Sequence, residues 1–120
     1  MSSTLKPEGG RRFGVVVVRG RSMLPSFRDG DRLLVRWGAP PRAGAVSVVR
    51  LPLDASGTPR PLSLKRVVRA VPDGWWVERD SPTEGVDSWQ VGPLADDAVL
   101  ARVLWRLWPR PRRAPTDPRE

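Results

Sequence analysis

Ser22, in the run Gly20-Arg21-Ser22-Met23-Leu24-Pro25, and Lys65 are the residues of this chain whose types best suit acyl transfer. The 120 residues include no histidine and no cysteine, so neither an imidazole base nor a thiol nucleophile is available. A serine hydroxyl activated by a lysine amine remains. Arginine cannot be that base, because its guanidinium keeps its proton in proteins whereas a lysine can be tuned to release one. The chain carries nineteen arginines but only two lysines, Lys6 and Lys65. Gly20 lets a substrate backbone approach closely, and Pro25 stiffens the bend after the serine. Taken singly these residues have plainer roles: Ser22 a turn or helix cap, Met23 core filler, Lys65 an exposed strand lysine. Their combination carries the chemical reading.

Such a lysine needs physical help. An exposed amine ionises near 10.4, and a base working near neutrality needs about 7–8. Burial supplies the shift, since desolvation penalises the ammonium form. Leu62, Leu64, Val67, Val68 and Val71 are the expected apolar neighbours. Strand alternation puts Ser63, Lys65 and Val67 on one face and Leu64, Arg66 and Val68 on the other. Arg66 then points away from the amine and is expected to pair with Asp80 or Asp87, fixing the segment between Asp80 and Gly92.

The elements that must hold these groups read as short strands between turn signals. Phe13 to Arg19 is a buried β-branched run, and Arg28-Asp29-Gly30-Asp31 a turn. Arg32 to Trp37, Ala45 to Leu51, Leu62 to Val71 and Trp75 to Arg79 are the next expected strands. Asp80 to Pro93 is a polar segment. Ala98 to Trp108 fits helix and strand equally well, and Pro109 ends it. This pattern is that of a mainly β domain. The expected organisation is a flexible arm over residues 1–12, a catalytic domain over 13–108 and a disordered Pro/Arg tail over 109–120. Phe27 and Trp37 are expected to pack in the core, and Trp75 and Trp76 to form the core and cover of a hairpin.

Composition excludes several classes. The longest apolar runs are four residues, far short of the roughly 18 that a membrane span needs. The first eight residues lack the apolar stretch of a secretory signal. Without cysteine there are no disulfides or thiolate metal sites, and a metal would need carboxylates alone. No cofactor and no metal is expected, and the reading is cytoplasmic. The formal charge of +8 is concentrated near the ends, residues 13–100 contributing only +2. A basic tail is more often a solvated segment than a nucleic-acid footprint, so no specific nucleic acid is expected.

The blocks Ser22-Met23-Leu24-Pro25, Gly30-Asp31-Arg32-Leu33-Leu34-Val35 and Lys65-Arg66-Val67, in this order, resemble the signature series of the signal peptidase I and LexA-like serine–lysine peptidases. A fourth block agrees in part, matching at Asp80, Asp87, Ser88 and Gly92. The resemblance implies a mainly β fold of coiled antiparallel sheets with a partly closed small barrel. It also implies a Ser22 nucleophile, a Lys65 general base, and site support from Arg66, Asp80, Asp87 and Ser88. The pattern is broken at Gly85, where the family has a serine that contacts the lysine; Ser88, Ser81 or water is left to take its place. With Gly20 two residues before the nucleophile, the oxyanion hole falls to backbone N–H groups, chiefly that of Ser22.

Leu33 to Ala39 and Gly74 to Val77 are further similar to the bacterial nickel-type superoxide dismutase maturation proteases within that family. That likeness implies a protein substrate, a precursor from which a short N-terminal extension is removed so that the new terminus can bind nickel. An extended substrate strand would lie beside the Ser22 segment. Two other classes stay open: a membrane-associated signal peptidase-like enzyme, and a noncatalytic basic binding module.

Overall fold

The computed structural model describes residues 12–117 and the backbone of Ser2–Ser3. Eight strands are present among the described residues, the six longer ones arising where β-branched and apolar residues run between glycine- and proline-marked turns. They are β1 (Ser2–Ser3), β2 (Phe13–Val17), β3 (Arg32–Trp37), β4 (Val46–Val49), β5 (Ser63–Val71), β6 (Gly74–Glu78), β7 (Val99–Trp108) and β8 (Arg112–Arg113). One short helix, α1 (Ser88–Val91), and a 3₁₀ turn at Asp96–Ala98 complete the described elements. The sheet order is β1-β2-β3-β7-β4-β5-β6, with β8 added to β7 and every pairing antiparallel. The fold is therefore mainly β. The end strands β1 and β6 do not pair with each other, so the sheet stays open.

Alternation divides the sheet into two apolar faces. Val16, Leu33, Val35, Val48, Leu64 and Ala101 enter the larger core, together with Met23 and Phe27 from the loop after β2. Val49, Leu51, Val67, Val77, Leu94 and Val99 form the second. Consecutive residues Val48 and Val49 thus serve different cores. Phe27 and Trp37 are buried, as expected. Trp75 packs on the second core, and Trp76 meets the Trp89 ring edge-on at 5.0 Å between centroids.

The ambiguous run from Ala98 resolves as strand. β7 lies between β3 and β4, where both neighbours supply backbone partners, and that tertiary demand overrides local pattern. The Pro/Arg segment differs from its expectation of disorder. Over residues 112–117 it lies back on the sheet: β8 pairs with β7, Ala114 N–H donates to Leu104 O at 2.9 Å, and Asp117 N–H donates to Gly44 O at 2.9 Å. Composition predicted a solvated tail, whereas the backbone groups find partners on strands already in place.

Candidate active site

β2 ends at Val17, and the chain turns through Gly20, at φ 86°, into Ser22. The turn is pinned from several sides. Asp29 Oδ1 accepts the Gly20 N–H at 2.8 Å. Met23 O accepts the Phe27 N–H at 3.0 Å, and both side chains sink into the larger core. The Leu24–Pro25 peptide is cis. The Ser22 carbonyl accepts the N–H groups of Asp80 and Ser81 at 3.0 and 2.9 Å. Among the described residues no acceptor takes the Ser22 N–H.

Lys65 stands on β5, opposite Ser47 of β4, and is 2 % exposed. Ser22 and Lys65 line one cavity of about 270 Å³, with Ser63, Leu51, Gly85 and Val86 among its other walls. Burial pushes the Lys65 amine down from 10.5 to about 8. The carboxylates of Asp87 and Asp80 pull it up and the Arg79 guanidinium pushes it further down, but desolvation outweighs them. The apolar wall differs in part from expectation. Leu64 packs in the larger core and does not line this cavity. Leu51 and Val86 close the cavity instead, each more than ten residues away in sequence, where no strand alternation could have announced them.

Arg66, next on β5, points away from Lys65 and is 1 % exposed. Its Nε and Nη2 donate to Asp80 Oδ1 and Oδ2 at 3.2 and 2.6 Å. Nη1 donates to Gly44 O at 2.9 Å and Pro115 O at 2.7 Å, and Nη2 also to Ser26 Oγ at 3.2 Å. Ser26 Oγ in turn donates to Asp80 Oδ2 at 2.5 Å. All five guanidinium donors are used, which such a buried charge requires. Of the two carboxylates expected for Arg66, Asp80 takes the role. Asp87 does other work: it caps α1 by accepting the Trp89 N–H at 3.0 Å, and its Oδ2 lies 3.6 Å from Arg79 Nη1.

The hydroxyls considered for orienting the lysine are each tied to backbone. Ser88 Oγ accepts the Val77 N–H at 2.9 Å, joining α1 to β6. Ser81 Oγ accepts Thr83 and Glu84 N–H at 3.3 and 3.2 Å. Gly85, at φ 119°, is a close approach more than a missing hydroxyl. A Cβ built there would lie 2.7 Å from Ser22 Cβ and 3.3 Å from Arg79 Cβ, so no side chain fits without a shift.

A family model described as Peptidase S24-like matches residues 2–82, more than half of the chain. The match spans the Ser22 turn, β5 with Lys65 and Arg66, and Asp80. No curated protein and no solved structure matches this chain.

Proposed function

The chain belongs to the Peptidase S24-like family, and we propose that it is a serine endopeptidase working through a Ser22/Lys65 dyad. The observation that carries this reading is the buried Lys65 amine, lowered to about 8, in the same cavity as Ser22. In the proposed reaction the neutral amine takes the Ser22 hydroxyl proton as Oγ bonds to the scissile carbonyl carbon. The Ser22 N–H stabilises the resulting oxyanion. The C–N bond then breaks, and the lysine passes its proton to the departing amine. A water, deprotonated by the same amine, hydrolyses the acyl-enzyme and restores Ser22. Arg66 and Asp80 hold the segment that clamps the Ser22 carbonyl.

The proposed substrate is a protein precursor carrying a short N-terminal extension, with nickel superoxide dismutase as the specific candidate and the cytoplasm as the site of action. Support for that substrate is the likeness at Leu33 to Ala39 and Gly74 to Val77. Among the described residues no helix is long and apolar enough to cross a membrane. Incubating the protein with a dismutase precursor whose mature part begins with a histidine-cysteine motif, and sequencing the product's N-terminus, tests both levels. Ser22→Ala and Lys65→Ala are expected to abolish cleavage. Cleavage undiminished in both variants rejects the dyad, and an intact precursor beside an otherwise active enzyme rejects the substrate.

A further inference from the structure

Strands β2, β3, β7 and β8 are linked through β3 and β7, and together they hold six arginines and no acidic residue. The positive charge comes closest together at one point. Arg36 on β3 and Arg102 on β7 are direct cross-strand partners, a like-charge juxtaposition that destabilises a sheet. Arg42 adds a third positive charge acting on Arg102. Arg102 Nε is buried without a hydrogen-bond acceptor among the described residues, while its Nη2 donates to Pro40 O at 2.5 Å. Like charges gathered with no acidic side chain among the described residues lining the groove are what a site for an anionic group looks like before it is filled.

The surroundings narrow the ligand. A groove of about 320 Å³ is lined by Arg42, Arg102 and Arg113, with Trp105, Leu104 and Ala114 supplying apolar surface and no acidic side chain in its wall. No residue lines both this groove and the Ser22 cavity. Phe13, Val15, Trp105, Leu107 and Trp108 are exposed on the same strands. The Arg113 guanidinium lies 6.0 Å from the Trp105 ring centroid, and that of Arg32 lies 5.4 Å from Trp108. Rings so covered are poor platforms for stacking bases, whereas a guanidinium resting on a ring still presents its edge to a carboxylate. Exposed Val15 and Leu107 likewise complement apolar side chains, which a nucleic acid lacks.

We propose that this groove and the adjoining face of β3 and β7 bind an acidic polypeptide segment, with carboxylates on Arg42, Arg102 and Arg113 and apolar side chains against Trp105 and Leu104. The assignment is independent of the catalytic reading, because it draws on none of the residues around Ser22.

The experiment titrates the full chain with a blocked peptide alternating glutamate and leucine, and with its glutamine-leucine counterpart. Oligo-dT and phosphatidylcholine vesicles containing one-quarter phosphatidylglycerol are run beside them. Tryptophan fluorescence and amide exchange along β7 report binding. The glutamate peptide is expected to bind, to protect β7 amides, and to weaken as salt rises. Arg42→Glu and Arg113→Glu, both at exposed positions, are each expected to cost about tenfold in affinity. Arg102→Gln is expected to do the same, with an unchanged unfolding midpoint as the check on its fold. Equal binding of the two peptides, tighter binding of oligo-dT or the vesicles, or full affinity in the exposed charge-reversal variants overturns the proposal.

Discussion

Lys65 ionises near 10.5 when exposed and at about 8 in β5, so the fold is strained wherever the amine carries its proton. The difference corresponds to about 3 kcal/mol against the buried ammonium. Below about pH 8 both folded and unfolded chains hold the proton, and the penalty is present in full. Between 8 and 10.5 the unfolded chain binds more proton than the folded one, so stability rises with pH across that window. Lys65→Met, which keeps the stem and removes the charge, is expected to raise stability at pH 7 by about 1–3 kcal/mol in urea unfolding while removing peptidase activity. Activity is expected to rise with pH through about 8 and then level, since only the neutral amine can accept a proton; a kcat/KM profile falling through that range contradicts the base role. Gly85 carries the third expectation at this scale. Placing a serine there with Gly85→Ser should slow acylation of Ser22, because its Cβ would crowd Ser22 Cβ at 2.7 Å in a backbone conformation side chains rarely adopt. A faster variant would show that the hydroxyl matters more than the space.

At the scale of elements, Ser22 is joined to distant strands through Asp80. The Asp80 carboxylate holds the Arg66 guanidinium, while the Asp80 N–H holds the Ser22 carbonyl. Arg66 also requires the Pro115 carbonyl, and Arg112 donates to Ser26 O, so the segment after β7 belongs to this assembly. Asp80→Asn leaves a buried guanidinium without its counter-charge and is expected to cost about 3–5 kcal/mol in chemical unfolding. Deleting residues 112–120 removes β8, Arg112 and the Pro115 acceptor together. Faster amide exchange around Asp80 and slower Ser22 acylation are the expected results, and an unchanged acylation rate would uncouple the segment from the site. How far sequence anticipates this architecture varies with the physics of each element. β3, β5 and β6 are readable because β-branched or aromatic residues run between unmistakable turns. β7 is not, because Val99 to Trp108 satisfies helix and strand periods alike and only its central place in the sheet decides. α1 is four residues long, too short for any period, and shows only through its Asp87–Gln90 capping box. Arg66 pairing is readable in kind, since a buried guanidinium needs a carboxylate, but the Pro115 acceptor is a backbone atom and leaves no residue-type signal. The Leu51 and Val86 walls are likewise products of chain return.

Across the whole molecule, charge and topology are arranged against each other. The Peptidase S24-like match stops at residue 82, yet β7, which follows it, bridges β3 to β4 and so connects the strand pair beside Ser22 to the one bearing Lys65. The strands doing this central work carry arginines and no acidic residue, and Arg36 faces Arg102 across their seam. With a formal charge of +8, mutual repulsion among exposed guanidiniums opposes compaction. The compensating attraction is different in kind, because Arg66 and Asp80 are 1 % and 4 % exposed and about as far from salt as they are from water. Raising ionic strength from about 0.01 to 0.1 M shortens the screening length from about 30 to 10 Å and weakens surface repulsion while leaving the buried pair nearly intact. Modest sodium chloride should therefore raise the thermal midpoint, by about 3–6 °C for about 1 kcal/mol of relieved repulsion. Arg36→Ser removes one member of the facing pair and should make the rise smaller, since part of the strain is already gone. A midpoint that falls with salt in the wild-type chain would mean that exposed ion pairs such as Arg21–Glu84, 3.9 Å apart, outweigh the repulsion, and that the arginine-rich strands are not held together against their own charge.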